Sequence, residues 1–358
     1  MSIKSSRHGG DVFGLSEEEQ DKVFDFSINI NPLGLSPKGR DALMAHWEKE
    51  TLRYPDVECR ALKKSLSIRY RISEESMALG NGATELMYKL IELLHPKKVI
   101  VPAPSFSEYR LSAEAAGCPV DSFLLTADRG FVLPLEEIEK KLLPHSLIYL
   151  GHPNNPDGQL LSPSDFEAVL HLAKKKESFL IIDESFIDFV GDDVSYRRVL
   201  VNETCGAVVM SLTKFYAVPG LRIGAAFLHS ALAERLRDTL IPWNVNGLAQ
   251  SYMTAAAQDL DYIKDSRGYC QTEREKLSAA LEALDFVKVL PGSVNFILCQ
   301  LIGKFETAGK LQKALMPYHI FIRQCGNYEG LGETYFRVAV RTEEENQILI
   351  KALGAVEN

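Results

Sequence analysis

The sequence predicts an α/β protein in which a large domain on a mainly parallel, mixed sheet is followed by a smaller α+β domain. Three observations predict it. From about residue 80 to residue 230, short apolar runs alternate with amphipathic helical stretches, the pattern of βαβ units. Several of these runs end directly in polar turns containing Gly or Pro. Beyond a long helical stretch, a second and shorter alternation of strands and helices closes the chain.

The strands expected in the first region are Val99–Val101, Val120–Leu124, Leu147–Leu150, Phe179–Ile182, Ala207–Met210 and Ile223–Leu228. No strand is evident before Gly80. Residues 231–284 read as helical, interrupted at Pro242 and Trp243, because proline removes a helix donor and clashes with the preceding turn. Strands then follow at Phe286–Val289, Val294–Cys299, Ile320–Arg323 and Phe336–Val340, with helices near Thr307–Leu315 and Glu343–Leu353. Residues 1–50 carry little that could form a core of their own and are expected to pack on the small domain and over the cleft. This gives three stretches: 1–50, a large domain over 51–245, and a connecting helix with the small domain over 246–358.

With 46% hydrophobic and 25% charged residues the chain has the composition of a globular protein. A net charge of −8, with dispersed Lys and Arg, argues against a nucleic-acid binder. The three consecutive lysines Lys174–Lys176 read as the wet end of a helix. No apolar stretch approaches the roughly 20 residues of a membrane span, and residues 1–10 lack a signal-peptide core, so a cytoplasmic protein is expected. The six cysteines are scattered without metal-ligand spacing and read as reduced thiols, with no metal site.

In sheets of this kind ligands bind beyond the carboxyl ends of the strands, so the chemistry is sought there. Asp183 follows the run Phe179–Ile182. Taken alone it would be a turn or helix cap. Ser211-Leu212-Thr213-Lys214 follows the next run, and Arg222 comes eight residues after the lysine. A lysine amid apolar Phe215, Tyr216, Val218 and Leu221 loses its proton more readily than a solvated one, as imine formation requires. Gly80-Asn81-Gly82-Ala83-Thr84 opens an amphipathic helix, whose free N–H groups suit a phosphate; its bland reading is a turn capped by Asn81 or Thr84. A dinucleotide fingerprint is disfavoured, since Glu85 stands where the third Gly is needed. His152-Pro153-Asn154-Asn155-Pro156-Asp157-Gly158 reads locally as a tight turn that could also offer two Asn side chains to a ligand.

As an ordered set, G-N-G-A-T, P-N-N-P-x-G, D-E-S-F, S-L-T-K and Arg222 resemble the fold-type I pyridoxal-phosphate enzymes of the aspartate aminotransferase superfamily, across nearly the whole chain. The resemblance implies pyridoxal 5′-phosphate on Lys214 as a Schiff base, Asp183 paired with the ring nitrogen, and Asn155 on the phenolic oxygen. Gly82, Ala83, Thr84, Ser211, Thr213 and Arg222 would hold the phosphate, with Phe106 stacked on the ring. Arg53-Tyr54-Pro55-Asp56 is similar to the segment whose Tyr reaches the neighbouring subunit's cofactor phosphate, implying a homodimer with shared sites. Two departures stand out: Phe186 replaces a Tyr usual in histidinol-phosphate aminotransferases, and Asp157 replaces the Thr of N-P-T-G.

Flanking segments narrow the resemblance. His8-Gly9-Gly10, Asp25 through Gly34, Thr213 through Tyr216, Ile241 through Asn246 and Tyr335 through Arg341 are similar to the threonine-phosphate decarboxylases of cobalamin biosynthesis. This implies a small phosphorylated amino acid as substrate, Arg323 and Arg337 as its phosphate clamp, and His8, Asn29 and Asn155 as further contacts. Phosphoserine decarboxylation, histidinol-phosphate transamination and a non-catalytic regulatory module are the alternatives.

Overall fold

The computed structural model describes residues 9, 10 and 12–357; His8, expected at the substrate, lies outside the described residues. The strands are β1 (Phe24–Asp25), β2 (Met77–Gly80), β3 (Val99–Ala103), β4 (Val120–Leu124), β5 (Leu147–Gly151), β6 (Phe179–Asp183), β7 (Gly206–Ser211), β8 (Gly224–Leu228), β9 (Val287–Val289), β10 (Phe296–Leu301), β11 (Ile320–Phe321), β12 (Arg323–Gln324) and β13 (Tyr335–Ala339).

Seven of them form the large sheet, in the order β2-β8-β7-β6-β5-β3-β4. Only β8 runs against its neighbours, pairing antiparallel with both β2 and β7. Its amino end therefore lies beside the carboxyl ends of the other six. All but the edge strand β4 are buried on both faces, which explains their continuous apolar runs. Side chains alternate between two cores. Leu180, Ile182, Val208 and Met210 join one with the helices Arg60–Tyr70, Pro163–Lys175 and Gly247–Ala256. Ile181, Val209 and Val101 join the other with the helices Ala83–Leu94 and Ser230–Thr239.

The strand before the glycine turn corrects the sequence reading. Met-Ala-Leu-Gly is only four residues, too short to show a period, and it becomes a strand through full burial against β8. The run Ile320–Arg323 also divides. Its first half pairs parallel with β1, while Arg323 and Gln324 join the antiparallel sheet β12-β13-β10-β9. That sheet packs with the helices Ala308–Leu315 and Glu343–Glu357 around Ile297, Phe336, Leu311 and Leu349.

The helix Leu260–Glu282, 23 residues and so about 35 Å long, ties the two cores together. Near its start Tyr262 donates to the Phe215 carbonyl (2.9 Å) and Arg267 to that of Asp188 (2.7 Å); near its end Leu277 and Leu281 enter the small-sheet core. The early segment ties them too. Phe26 lies in the small-sheet core, while Asn31 Nδ2 donates to the Phe215 carbonyl (2.8 Å) and Ser266 Oγ (2.7 Å). No helix among the described residues is long and apolar enough to cross a membrane, and the six thiols are free.

Candidate active site

The site forms where the loops after β2, β3, β5, β6 and β7 meet the amino end of β8, and the small sheet covers it. Gly80 and Ser211 both pair with Gly224, and Gly151 pairs with Asp183, so the register fixes the expected groups at one sheet edge.

Gly82 adopts φ +86°, a conformation side chains rarely take, and caps the helix Ala83–Leu94 without a side-chain bond. Neither Asn81 nor Thr84 serves as its cap. A Cβ on Gly82 would lie 2.3 Å from Arg222 Nη2, and one on Gly224 would lie 2.4 Å from the Ala83 nitrogen. The guanidinium thus sits against the turn that exposes the first helical N–H groups. Together with Ser211 and Thr213, whose hydroxyls are 2.8 Å apart, these groups could hold a phosphate.

Lys214 Nζ donates to Ser211 Oγ (3.3 Å) and Thr213 Oγ1 (3.2 Å). Its pKa falls to about 8: burial disfavours the charge, and Arg222 and Arg337 repel it, against a smaller opposing pull from Asp183. Asp183 is buried at the end of β6. Its Oδ1 accepts from the Ser185 N–H (2.9 Å) and its Oδ2 from the Tyr109 hydroxyl (2.7 Å). Burial raises its pKa, opposed by those hydrogen bonds and by Lys214. Phe106 packs edge-on against Tyr109, whose ring stacks on Tyr149 at 4.8 Å.

From the small sheet, Arg323 and Arg337 are direct cross-strand partners, so both side chains leave the same face. Each is 5% exposed. Arg337 donates to Asn155 Oδ1 and to the Ser27 carbonyl (3.1 Å), and Asn29 presents its amide oxygen to both Nη atoms at 3.2 Å. No carboxylate pairs with Arg337 among the described residues, and its Nε is buried without a partner. Arg323 lies over the Tyr328 ring and, with Phe106 and Arg110, lines a cavity of about 360 Å³.

Asn155 is half-buried and Tyr54 exposed. Asn155 engages Arg337 and, at 3.4 Å, the Tyr328 hydroxyl. Tyr54 is 81% exposed and lies on Trp243, turned to the surface. The departures also find places. Phe186 packs edge-on against Phe296, and Arg337 covers the other ring. Asp157 is buried, accepting from Asn154 and from the Gln159 N–H (2.8 Å), so it shapes the Asn155 loop; burial without a cation pushes its pKa up to about 6. The sequence reading missed Tyr109, Ser185 and Tyr328. Tyr109 follows Phe106 by three residues, and that spacing was the available signal.

The family model for aminotransferase class I and II matches residues 21–353. The chain is 32% identical to the threonine-phosphate decarboxylase of Salmonella typhimurium, covering 99% of this chain and 98% of that one. It is also 32% identical to the adenosylcobalamin biosynthesis bifunctional protein CobDQ of Leptospira interrogans over 98% of its own length, and spans 41% of that longer protein. Among solved structures, the histidinol-phosphate aminotransferase of Clostridium acetobutylicum superposes with a TM-score of 0.85 at 31% identity, covering 93% of this chain and 98% of that one.

Proposed function

The chain belongs to the aminotransferase class I and II family, and we propose that within it the protein decarboxylates L-threonine O-3-phosphate to (R)-1-amino-2-propanol O-2-phosphate for cobalamin biosynthesis. Pyridoxal 5′-phosphate is its cofactor. When bound, the ring accepts the electron pair released as a bond to the substrate's Cα breaks. The residues present fit it. Lys214 would supply the amine, Asp183 would hold the proton on the ring nitrogen, and Asn155 would serve the phenolic oxygen. Phe106 would stack on the ring, while Gly82, Ala83, Thr84, Ser211, Thr213 and Arg222 would hold the phosphate.

The observation that carries the substrate reading is the buried guanidinium of Arg337, which no carboxylate meets among the described residues and which shares one face of the small sheet with its cross-strand partner Arg323. Burying a cation away from water is costly unless an anion meets it, and forked guanidinium donors match phosphate oxygens. Arg337, reached by Asn29 and lying close enough to Lys214 to depress its pKa, places that anion beside the amine. His8 would add a further contact. Positioning then decides the product, because the bond that breaks is the one held perpendicular to the ring plane. Here the chain has to hold the substrate carboxylate there, and Lys214 is placed to return a proton to Cα.

Incubation with L-threonine O-3-phosphate, and separately with histidinol phosphate plus 2-oxoglutarate, tests the reading. Carbon dioxide release from the first is expected; 2-oxoglutarate-dependent turnover without gas release would favour the aminotransferase, a reading supported by the Clostridium likeness. Phosphoserine turnover is expected at a rate roughly 10–200-fold lower, the discrimination one methyl group gives. Loss of turnover in Lys214→Ala would exclude a non-catalytic module.

The exposed apolar side chains Met44, Trp47, Leu52, Tyr54, Val57, Ile241 and Trp243 support a homodimer in which Tyr54 reaches the partner's phosphate site.

A further inference from the structure

We infer that Tyr109 is the positioning residue that keeps Asp183 an ionised, correctly aimed partner for the cofactor's ring nitrogen. The inference rests on the reading of Asp183 given above. Tyr109 touches none of the reacting atoms; it acts through the carboxylate.

Its hydroxyl lies 2.7 Å from Asp183 Oδ2, and the Ser185 N–H takes the other oxygen at 2.9 Å, so the two donors fix the carboxylate's rotation from both sides. Both residues are buried. The phenol's pKa stands well above its ordinary value, first through burial and then through the Asp183 charge. Tyr109 therefore stays protonated and can serve Asp183 only as a donor. A donor to a carboxylate favours its ionised form and opposes the burial that drives Asp183 toward neutrality. Without it, the carboxylate competes better for the proton shared with the ring nitrogen, and a ring that loses that proton is a poorer electron acceptor.

The phenol is itself held in place. Its ring is stacked 4° from parallel on Tyr149 and meets Phe106 edge-on, in the helix Glu108–Ala115 that follows the Phe106 turn. One short segment thus supplies both the aromatic face for the ring and the donor for the ring's counter-ion.

The test uses the purified protein loaded with pyridoxal 5′-phosphate, titrated by visible absorbance, together with cofactor binding to the apoprotein. Tyr109→Phe keeps the aromatic stack and removes one oxygen. It is expected to shift the absorbance midpoint upward by about one pH unit and to weaken cofactor binding about tenfold, the scale of one hydrogen bond to a charged group. Asp183→Asn is expected to shift the midpoint further, and adding Tyr109→Phe to it should change little more, since the two act as a unit. A Tyr109→Phe midpoint equal to the parent's, while Asp183→Asn moves it, overturns the inference about Tyr109 alone. A midpoint unmoved by Asp183→Asn overturns the reading of Asp183 and this inference with it.

Discussion

On the proposed function, one lysine among 40 basic residues becomes a reagent through its surroundings. The neutral amine of Lys214 is the form that captures a carbonyl, and its pKa is lowered to about 8. The rate at which the apoprotein captures pyridoxal 5′-phosphate should therefore rise with pH through about 8 and level off above it. A midpoint near that of a solvated lysine, above pH 10, would contradict the site's electrostatics. The sign for stability follows from the same shift. Below pH 8 both folded and unfolded chains carry the charge, and its burial cost is fully present; between about 8 and 10.5 only the unfolded chain holds the proton, so the Lys214 contribution to apoprotein stability improves as pH rises. The depressed pKa was legible in the sequence as a lysine within an apolar run. The partners of Asp183 were not, because Tyr109 lies 74 residues away and only the sheet order brings β3 and β6 to either side of β5.

At the scale of elements, the phosphate cradle depends on how closely β8 approaches the start of the helix Ala83–Leu94. Gly224→Ala places a methyl 2.4 Å from the Ala83 nitrogen, a backbone atom that cannot swing aside. Calorimetry should show destabilisation of about 1–3 kcal/mol, with weakened cofactor binding. Gly82→Ala meets the mobile end of Arg222 and adds strain at φ +86°, for a cost of about 1–3 kcal/mol. If both variants bind the cofactor as tightly as the parent protein, the phosphate is held elsewhere. The inner parallel strands were readable because burial on both faces leaves unbroken apolar runs. β2 was missed because four residues carry no usable period, and the division of Ile320–Arg323 was missed because it reflects a change of partner strand, which no local pattern encodes.

For the whole molecule, the site is assembled from two sheets and from chain on both sides of them. Asn31→Ala removes donors that bind the early segment to Phe215 and Ser266 in the buried interior, and should lower Tm and reduce turnover together. The exposed apolar stretch around Tyr54 and Trp243 predicts a mass of two chains in sedimentation, and Trp243→Glu should yield single chains with diminished activity; a parent protein that sediments as one chain at full activity would contradict the shared site. Domain-scale alternation was legible in the sequence, whereas the close partnership of Arg337 with Asn29 and Ser27 joins residues some 310 positions apart. The central claim is that this assembly removes the carboxylate and retains the nitrogen. L-threonine O-3-phosphate labelled with ¹³C in its carboxyl group and ¹⁵N in its amine, followed by NMR, tests both at once. The account predicts one labelled carbon dioxide for each labelled amine product; labelled nitrogen passed to 2-oxoglutarate, with the carboxyl label kept in an oxo acid, would contradict it.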